Sequence, residues 1–482
     1  MNVLLITLDQ FRADCLSIAG HPLVKTPNLD RLARNGVRFA QHYSQCAPCS
    51  PGRASLYTGM YQMNHRVVTN GTPLDHRFDN VALLARRAGY APTLFGYTDQ
   101  AADPRDTQSP TDPRLFTYEG VLPGFDCELL IPEPFELWIN HLRASGFDVP
   151  MNSFQSLNTE PDRPEEFSIG AFVADHFNSW LRRQDGPWFA HTSFLRPHPP
   201  YAAAGKWSKE YDPADVPMPI EPSADRHPFH EAALNMPQSA APKDEAGNRR
   251  MISQYFGMVS EVDSQVGRVL DTLTELGMWE HTMIIVTADH ADQLGDHGLR
   301  EKLGYFEQSY HILGIVRDPR NSQFHGSTVD EFTENIDIVP TIAEALGQPV
   351  PLQCDGLPLT PFLEGRHPDG WRKAASYEFD WRHIFITKEG HAWPWDRRLE
   401  RQSLAVRRSH DAAYVQFGDG TWLAFDLAAD PTWRTTMTDP AKVLPLAQDM
   451  LTWRSRNTER TLSGFLVQDG GKGHWPPGVP WK

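Results

Sequence analysis

Four places in this sequence end an apolar run with groups able to do chemistry. Asp9-Gln10 follows Val3 to Leu8, Thr98-Asp99 follows Thr93 to Tyr97, Arg196-Pro197-His198 follows Trp188 to Phe194, and Asp289-His290 follows Met283 to Ala288. One aspartate after a strand is ordinarily a helix cap or a satisfied turn residue. Four polar endings of this kind are more economically read as the walls of a single site. Asp9, Gln10, Asp289 and His290 offer carboxylate and amide oxygens and one imidazole, a hard donor set that suits one calcium, magnesium or manganese ion better than zinc. A two-zinc site would need a second cluster of aspartates and histidines, and none stands out in the chain. A fifth segment, Cys49-Ser50-Pro51-Gly52-Arg53, continues through Ala54 to Thr58-Gly59 and sets a nucleophilic sulfur four residues before an arginine. Pro51 suits the start of a helix, whose N-terminal amides and partial positive charge would join Arg53 in facing an anion.

Ligands of an open parallel sheet gather outside the carboxyl ends of its strands, so these endings require such a sheet. Val3 to Leu8 is a continuous apolar run, the pattern of a strand covered on both faces. Thr26-Pro27 opens a helix with Leu29, Leu32 and Ala33 on one face, and Gly36 stops it after Asn35. The alternation continues through the strand Val37 to Tyr43, the helix Asn80 to Ala88, the strand Thr93 to Tyr97, the helix Ala171 to Arg183 and the strand Trp188 to Phe194. A long helix, Gln254 to Leu276, the strand Met283 to Ala288 and the helix Ile338 to Leu346 complete it. This order predicts an α/β fold, a large mostly parallel sheet sandwiched by helices. After the proline-bearing stretch Pro349 to Pro361 come short strands, His383 to Thr387, Ala413 to Phe417 and Thr421 to Phe425, with one helix, Lys442 to Trp453. They are read as a smaller C-terminal antiparallel sheet. The expected division is residues 1–370 as the catalytic domain, 371–463 as the small domain, and 464–482 as a tail too polar to fold alone. That tail carries Trp475-Pro476-Pro477 and Trp481, apolar groups suited to burial against another subunit.

The 482 residues are 40% hydrophobic and 22% charged, as in a folded globular protein. With 45 Lys and Arg against 61 Asp and Glu the net charge is −16, so nucleic acid and anionic membranes are repelled and an anionic substrate needs a local positive site. The five cysteines are too scattered for a disulfide framework or paired zinc spacing, which points to a reducing compartment. The first residues have no basic region and too short an apolar run for a signal peptide, and no stretch approaches the ~20 apolar residues of a membrane span. A cytoplasmic, unanchored protein is the expectation.

Cys49-x-Pro51-x-Arg53 followed by Thr58-Gly59 resembles the signature of the sulfatase family, part of the alkaline phosphatase superfamily, in which a separate formylglycine-generating enzyme oxidises the cysteine. Cys46 is followed by Ala47-Pro48-Cys49-Ser50 and lacks the arginine, so Cys49 is the implied formylglycine precursor. The resemblance implies an alkaline-phosphatase-like fold. It matches Asp9-Gln10 to the family's N-terminal metal pair, usually two acids, and Asp289-His290 with Gly295-Asp296-His297-Gly298 to its second metal station, with Cys49 also at the metal. His198 resembles the histidine at the leaving-group oxygen, a general acid. Lys302 resembles the lysine that holds the same oxygen or the sulfuryl oxygens. The implied chemistry is attack on sulfur or phosphorus by one metal-bound hydroxyl of the hydrated aldehyde, and release of product when the other loses its proton.

Common sulfatases carry Gly-Lys-x-His where this chain has Gly96-Tyr97-Thr98-Asp99. With Asn70-Gly71-Thr72-Pro73-Leu74, Asp103-Pro104-Arg105 and Ser109-Pro110-Thr111-Asp112-Pro113-Arg114, that difference looks like the phosphonate monoester hydrolase and arylsulfatase branch. Asn70, Tyr97 and Thr98 then stand as substrate ligands, and Asp99 either as the base that replaces the histidine or as a structural residue that pairs with Arg105 or caps a loop. Loss of the lysine favours singly charged esters over phosphate dianions. The implied activity is formylglycine- and metal-dependent hydrolysis of monoanionic sulfate esters, with overlapping phosphonate monoester and phosphodiester hydrolysis. A primary phosphonate monoester hydrolase, a phosphoryl transferase using unmodified Cys49 and a catalytically silent metal-binding protein are the alternatives. The implied partners are a small anionic ester, the formylglycine-generating enzyme and further copies of the chain, as dimer or tetramer.

Overall fold

In a computed structural model, residues 1–224, 226–382, 401–459 and 461–475 are described. Side chains of β1 (Asn2–Leu8) divide by parity: Leu4, Ile6 and Leu8 join one apolar cluster, Val3 and Leu5 another. This is what a strand between two helical layers must do. The further strands are β2 (Val37–Tyr43), β3 (Cys46–Ala47), β4 (Thr93–Gly96), β5 (Asp126–Leu130), β6 (Phe189–Phe194), β7 (Thr282–Thr287), β8 (Gly314–Arg317) and β9 (Ser327–Glu334). Eight of them form one sheet in the order β5-β4-β6-β1-β7-β8-β2-β9. Every pairing is parallel except those of β8, which runs antiparallel to β7 and β2.

One face is covered by α1 (Pro27–Arg34) and the helices Ile169–Leu181 and Glu245–Glu275, the other by α2 (Cys49–Thr58), Val81–Arg87 and Ile338–Ala345. The long helix starts at Glu245, nine residues ahead of the sequence reading. Asn248, Arg249 and Arg250 break the apolar period in its first turns, while the Asp244 side chain caps it by accepting from Gly247 N at 2.7 Å.

The small sheet runs β13-β12-β11-β10-β3, adding β10 (Ala374–Asp380), β11 (Ser403–Ser409), β12 (Ala412–Phe417) and β13 (Trp422–Asp426). The helix Pro440–Arg456 packs on it through Val443, Met450 and Trp453. This sheet annexes the segment just ahead of Cys49: β10 pairs with β3, Glu378 opposite Cys46 and Phe379 opposite Ala47. The strand expected at His383 to Thr387 lies outside the described residues. In the tail, Val467–Gln468 and Gly471–Lys472 form a two-stranded hairpin, with the Phe465 and Trp475 rings 5.3 Å apart. Pro476, Pro477 and Trp481 lie outside the described residues. Among the described residues no helix is long and apolar enough to cross a membrane.

Register sets the site. Thr7 of β1 stands opposite Ser193 of β6 and Thr287 of β7, so the chain leaves three adjacent strands at one edge of the sheet. Asp9, Arg196 and Asp289 follow immediately.

Candidate active site

The carboxyl ends of β1 and β7 meet the start of α2. Ligand atoms of Asp9, Cys49, Asp289 and His290 all lie within 4.8 Å of one another, and all four residues are buried. Asp9 Oδ2 accepts from Tyr97 OH at 2.7 Å and Arg53 Nη2 at 3.1 Å, while Asp9 Oδ1 is buried without a hydrogen-bond partner. A buried carboxylate oxygen left over in this way is suited to a cation. Gln10 donates from Nε2 to Asp292 Oδ2 at 2.5 Å, which turns its Oε1 inward to accept from Lys302 Nζ at 2.9 Å. His290 has Nδ1 3.1 Å from Ala291 O, which leaves the Nε2 lone pair facing Cys49 Sγ at 3.3 Å. Carboxylate oxygens of Asp9 and Asp289, the Cys49 sulfur and the His290 nitrogen therefore fit one divalent metal ion, while the Gln10 amide oxygen is taken by Lys302.

α2 begins at Cys49 itself, two residues before Pro51. Gly52 allows its approach, because a Cβ there would stand 2.5 Å from Asp289 O. Cys49 Sγ lies 3.6 Å from Lys302 Nζ, and burial, followed by the Asp9 charge, pushes its thiol well above the ordinary range. Cys46 is turned elsewhere, its Sγ 3.3 Å from Ser55 Oγ. Arg53 is buried and braces three carboxylates: Asp289 at 2.9 Å, Asp9 at 3.1 Å and Asp99 at 3.6 Å. It also donates to Ser193 Oγ at 2.9 Å and lies over the Tyr97 ring at 4.3 Å.

Lys302 donates to His198 Nε2 at 2.9 Å, and His198 Nδ1 lies 2.7 Å from Pro199 O. Burial, and next the Lys302 charge, lowers the His198 pKa, so the ring is a neutral acceptor and the nearest proton sits on Lys302. Arg196 holds this loop, with Nη1 on His198 O at 2.8 Å and Pro200 O at 3.0 Å and Nη2 paired with the buried Glu160. Asp99 lines the cleft in a left-handed backbone conformation, and burial drives its carboxyl up to about 8. Its cleft-facing position beside Arg53 leaves Arg105 to pair with Asp103 and Asp75. Asn70 is exposed at the cleft, with Oδ1 accepting from Ser50 N at 2.9 Å.

Three expectations change. Thr98 is buried with its hydroxyl on Gly120 O at 2.8 Å and Leu122 N at 2.9 Å, so it is a loop brace and not a substrate ligand. Tyr97 lines the cleft but spends its hydroxyl on Asp9. The Gly295–Gly298 segment stands away from the metal ligands: Asp296 pairs with Arg12 at 2.9 Å and His297 stacks on Phe306. Sequence reasoning missed Asp292, Glu160 and Ser193, which orient Gln10, Arg196 and Arg53. Only Asp292, three residues after Asp289, carried a signal in spacing. The cleft, about 210 Å³, has an outer wall of Tyr118, Glu119, Glu133, Phe135 and Phe154.

A family model described as Sulfatase matches residues 1–348, and one described as N-sulphoglucosamine sulphohydrolase, C-terminal, matches residues 295–452. The multifunctional alkaline phosphatase superfamily protein PehA of Trinickia caryophylli is 37% identical over 501 residues, covering 96% of this chain and 97% of its own. The solved phosphonate monoester hydrolase of Agrobacterium radiobacter is 40% identical with a TM-score of 0.91, covering 99% of this chain and 100% of that one. The phosphonate monoester hydrolase SpPMH of Silicibacter pomeroyi is 34% identical with a TM-score of 0.88, over 98% of this chain and 99% of its own.

Proposed function

This chain belongs to the sulfatase family, and from that premise we propose that it hydrolyses singly charged phosphonate and sulfate esters, using one divalent metal ion and a formylglycine made from Cys49. The observation that carries the reading is the meeting of Cys49 with Asp9, Asp289 and His290 inside 4.8 Å, with Lys302 beside the sulfur. When present, the metal ion and the formylglycine supply an activated oxygen nucleophile at neutral pH. Asp9, Asp289 and His290, with Gln10 beside them, would hold the ion, and Arg53 fixes the two carboxylates. Lys302 donates to the bridging oxygen, and with His198 it provides the proton that the departing alcohol needs. Asp99 takes the proton given up when product is released.

Likeness to two phosphonate monoester hydrolases moves phosphonate monoesters ahead of sulfate esters as the leading substrate class. Both present one negative charge. The cleft lining supports that limit, since among the described residues Lys302 is its one ammonium or guanidinium against Asp9, Asp99, Glu119, Glu133 and Glu301. The test compares kcat/KM for an aryl phosphonate, an aryl sulfate, a phosphodiester and an aryl phosphate on metal-loaded enzyme. Intact mass must first show the loss of about 18 Da that conversion of thiol to aldehyde requires. A strong preference for the phosphate dianion, or full activity at the unmodified mass, would overturn the reading.

A further inference from the structure

The inner end of the cleft suits an anion, and its outer wall does not. Tyr118, Glu119, Glu133, Phe135 and Phe154 line that wall, with no lysine or arginine among them. Glu119 matters most. It is 8% exposed, its Oε2 accepts from Glu133 N at 2.8 Å, and among the described residues no basic side chain pairs with it. The neighbouring cavity of about 440 Å³, which Glu119 also lines, brings only Arg114 and His76 among the described residues. Both are engaged: Arg114 with Asp112 at 2.9 Å, His76 with Asp103 at 2.9 Å. A buried carboxylate without a counter-ion is costly, and one facing a cleft gains from a cation brought by the ligand. Tyr118 and Phe154 are partly exposed beside it and add aromatic surface of the kind that attracts ammonium groups.

We propose that the outer wall is a subsite for an ammonium group carried by the ester's leaving alcohol, so that the preferred substrate is a zwitterion. The inference rests on the hydrolase reading above and deepens it. A sulfate or phosphonate monoester at Cys49 and a cation at Glu119 and Glu133 together neutralise both ends of the cleft.

Two arms test it on the metal-loaded enzyme. In the first, benzyltrimethylammonium is titrated by calorimetry into the parent, Glu119→Gln and Glu133→Gln. Saturable binding, weakened about tenfold in the variants, is expected for one desolvated cation–aromatic and carboxylate site. No binding, or equal binding by all three proteins, overturns the subsite. In the second, 4-(trimethylammoniomethyl)phenyl and neutral 4-neopentylphenyl methylphosphonates are compared, each rate divided by its rate with hydroxide. The parent should favour the cationic ester about tenfold in kcat/KM, and the ratio should fall toward one in the variants. A ratio near one in the parent, or one unchanged in both variants, overturns the proposal. Turnover of neither ester overturns the hydrolase reading instead, and calorimetry still decides the subsite. If Glu119→Gln does not fold, the exposed Glu133→Gln carries both arms.

Discussion

Lys302 gathers the inner end of the cleft onto one nitrogen, which bonds Gln10 and His198 and lies beside Cys49. Burial lowers its pKa, but Cys49, Glu301 and Asp9 together outweigh burial and hold it above the ordinary lysine value. The two neighbouring cysteines are separated by the same geometry. Cys49→Ala should abolish turnover of an aryl phosphonate while Cys46→Ala keeps it within about threefold, since the second sulfur meets Ser55 and His65, away from the cleft. Equal activity of Cys49→Ala and the parent would end the nucleophile assignment. Asp9→Ala and Asp289→Ala should each lose bound metal and activity together, as read by elemental analysis and kcat on the same samples. Retention of one metal per chain in both variants would show that the ion sits elsewhere. The candidate ligands were legible because each closes an apolar run or belongs to a spaced motif. Their supports were not. Whether Asp292 binds metal or turns Gln10 depends on where that amide points, and Glu160 meets Arg196 only once the chain has folded around the intervening helix Ile169–Leu181.

At the scale of elements, the loop after β6 is pinned by one buried side chain. Arg196 spans it by bonding carbonyls of His198, Pro200 and Ala202, and Glu160 holds Arg196 from outside. Both members of that pair are fully buried, so Glu160→Ala leaves an unpaired guanidinium and should lower stability by roughly 3 to 5 kcal/mol. Its second effect is chemical. With His198 loosened, kcat/KM should fall about tenfold more for esters of poor leaving alcohols than for nitrophenyl esters, because only the former need the proton. A uniform loss across the leaving-group series would reduce Glu160 to a structural role. The strands and helices that place this loop were readable from apolar runs: β1, β2 and β6 start or end within two residues of the sequence reading. The two-residue β3 has no period to read, and its partner β10 lies more than three hundred residues away, so the union of small sheet and nucleophile segment comes only from tertiary pairing.

Two properties belong to the whole molecule. The tail leaves Leu462, Leu466 and Val467 largely exposed around its hairpin, apolar surface a second copy of the chain could cover. Truncation after Ser463 should therefore lower the subunit number seen by light scattering, and an unchanged number would remove the tail from the interface. The other property is acid sensitivity. His65, His191 and His297 are held down to about 3, and His42 and His230 to about 4, in each case chiefly by burial. A free imidazole titrates near ~6.5, so below that pH these histidines bind more protons in the unfolded chain than in the fold, and their contribution to stability falls as pH drops toward 4, while the raised Asp99 carboxyl, at about 8, acts in the opposite sense. His297 is the clearest contributor. Neither ring nitrogen has a partner, the ring stacks on Phe306 at 3.5 Å, and after burial the nearby His230 lowers it further. By linkage it alone costs on the order of 2 to 3 kcal/mol at pH 4.5. His297→Asn suits the left-handed backbone there and removes the titrating ring. At equal saturating metal, its Tm should start lower than the parent's at pH 8, for want of the stack, yet fall less between pH 6.5 and 4.5. Parallel Tm curves for the two proteins would show that His297 takes up no proton on unfolding.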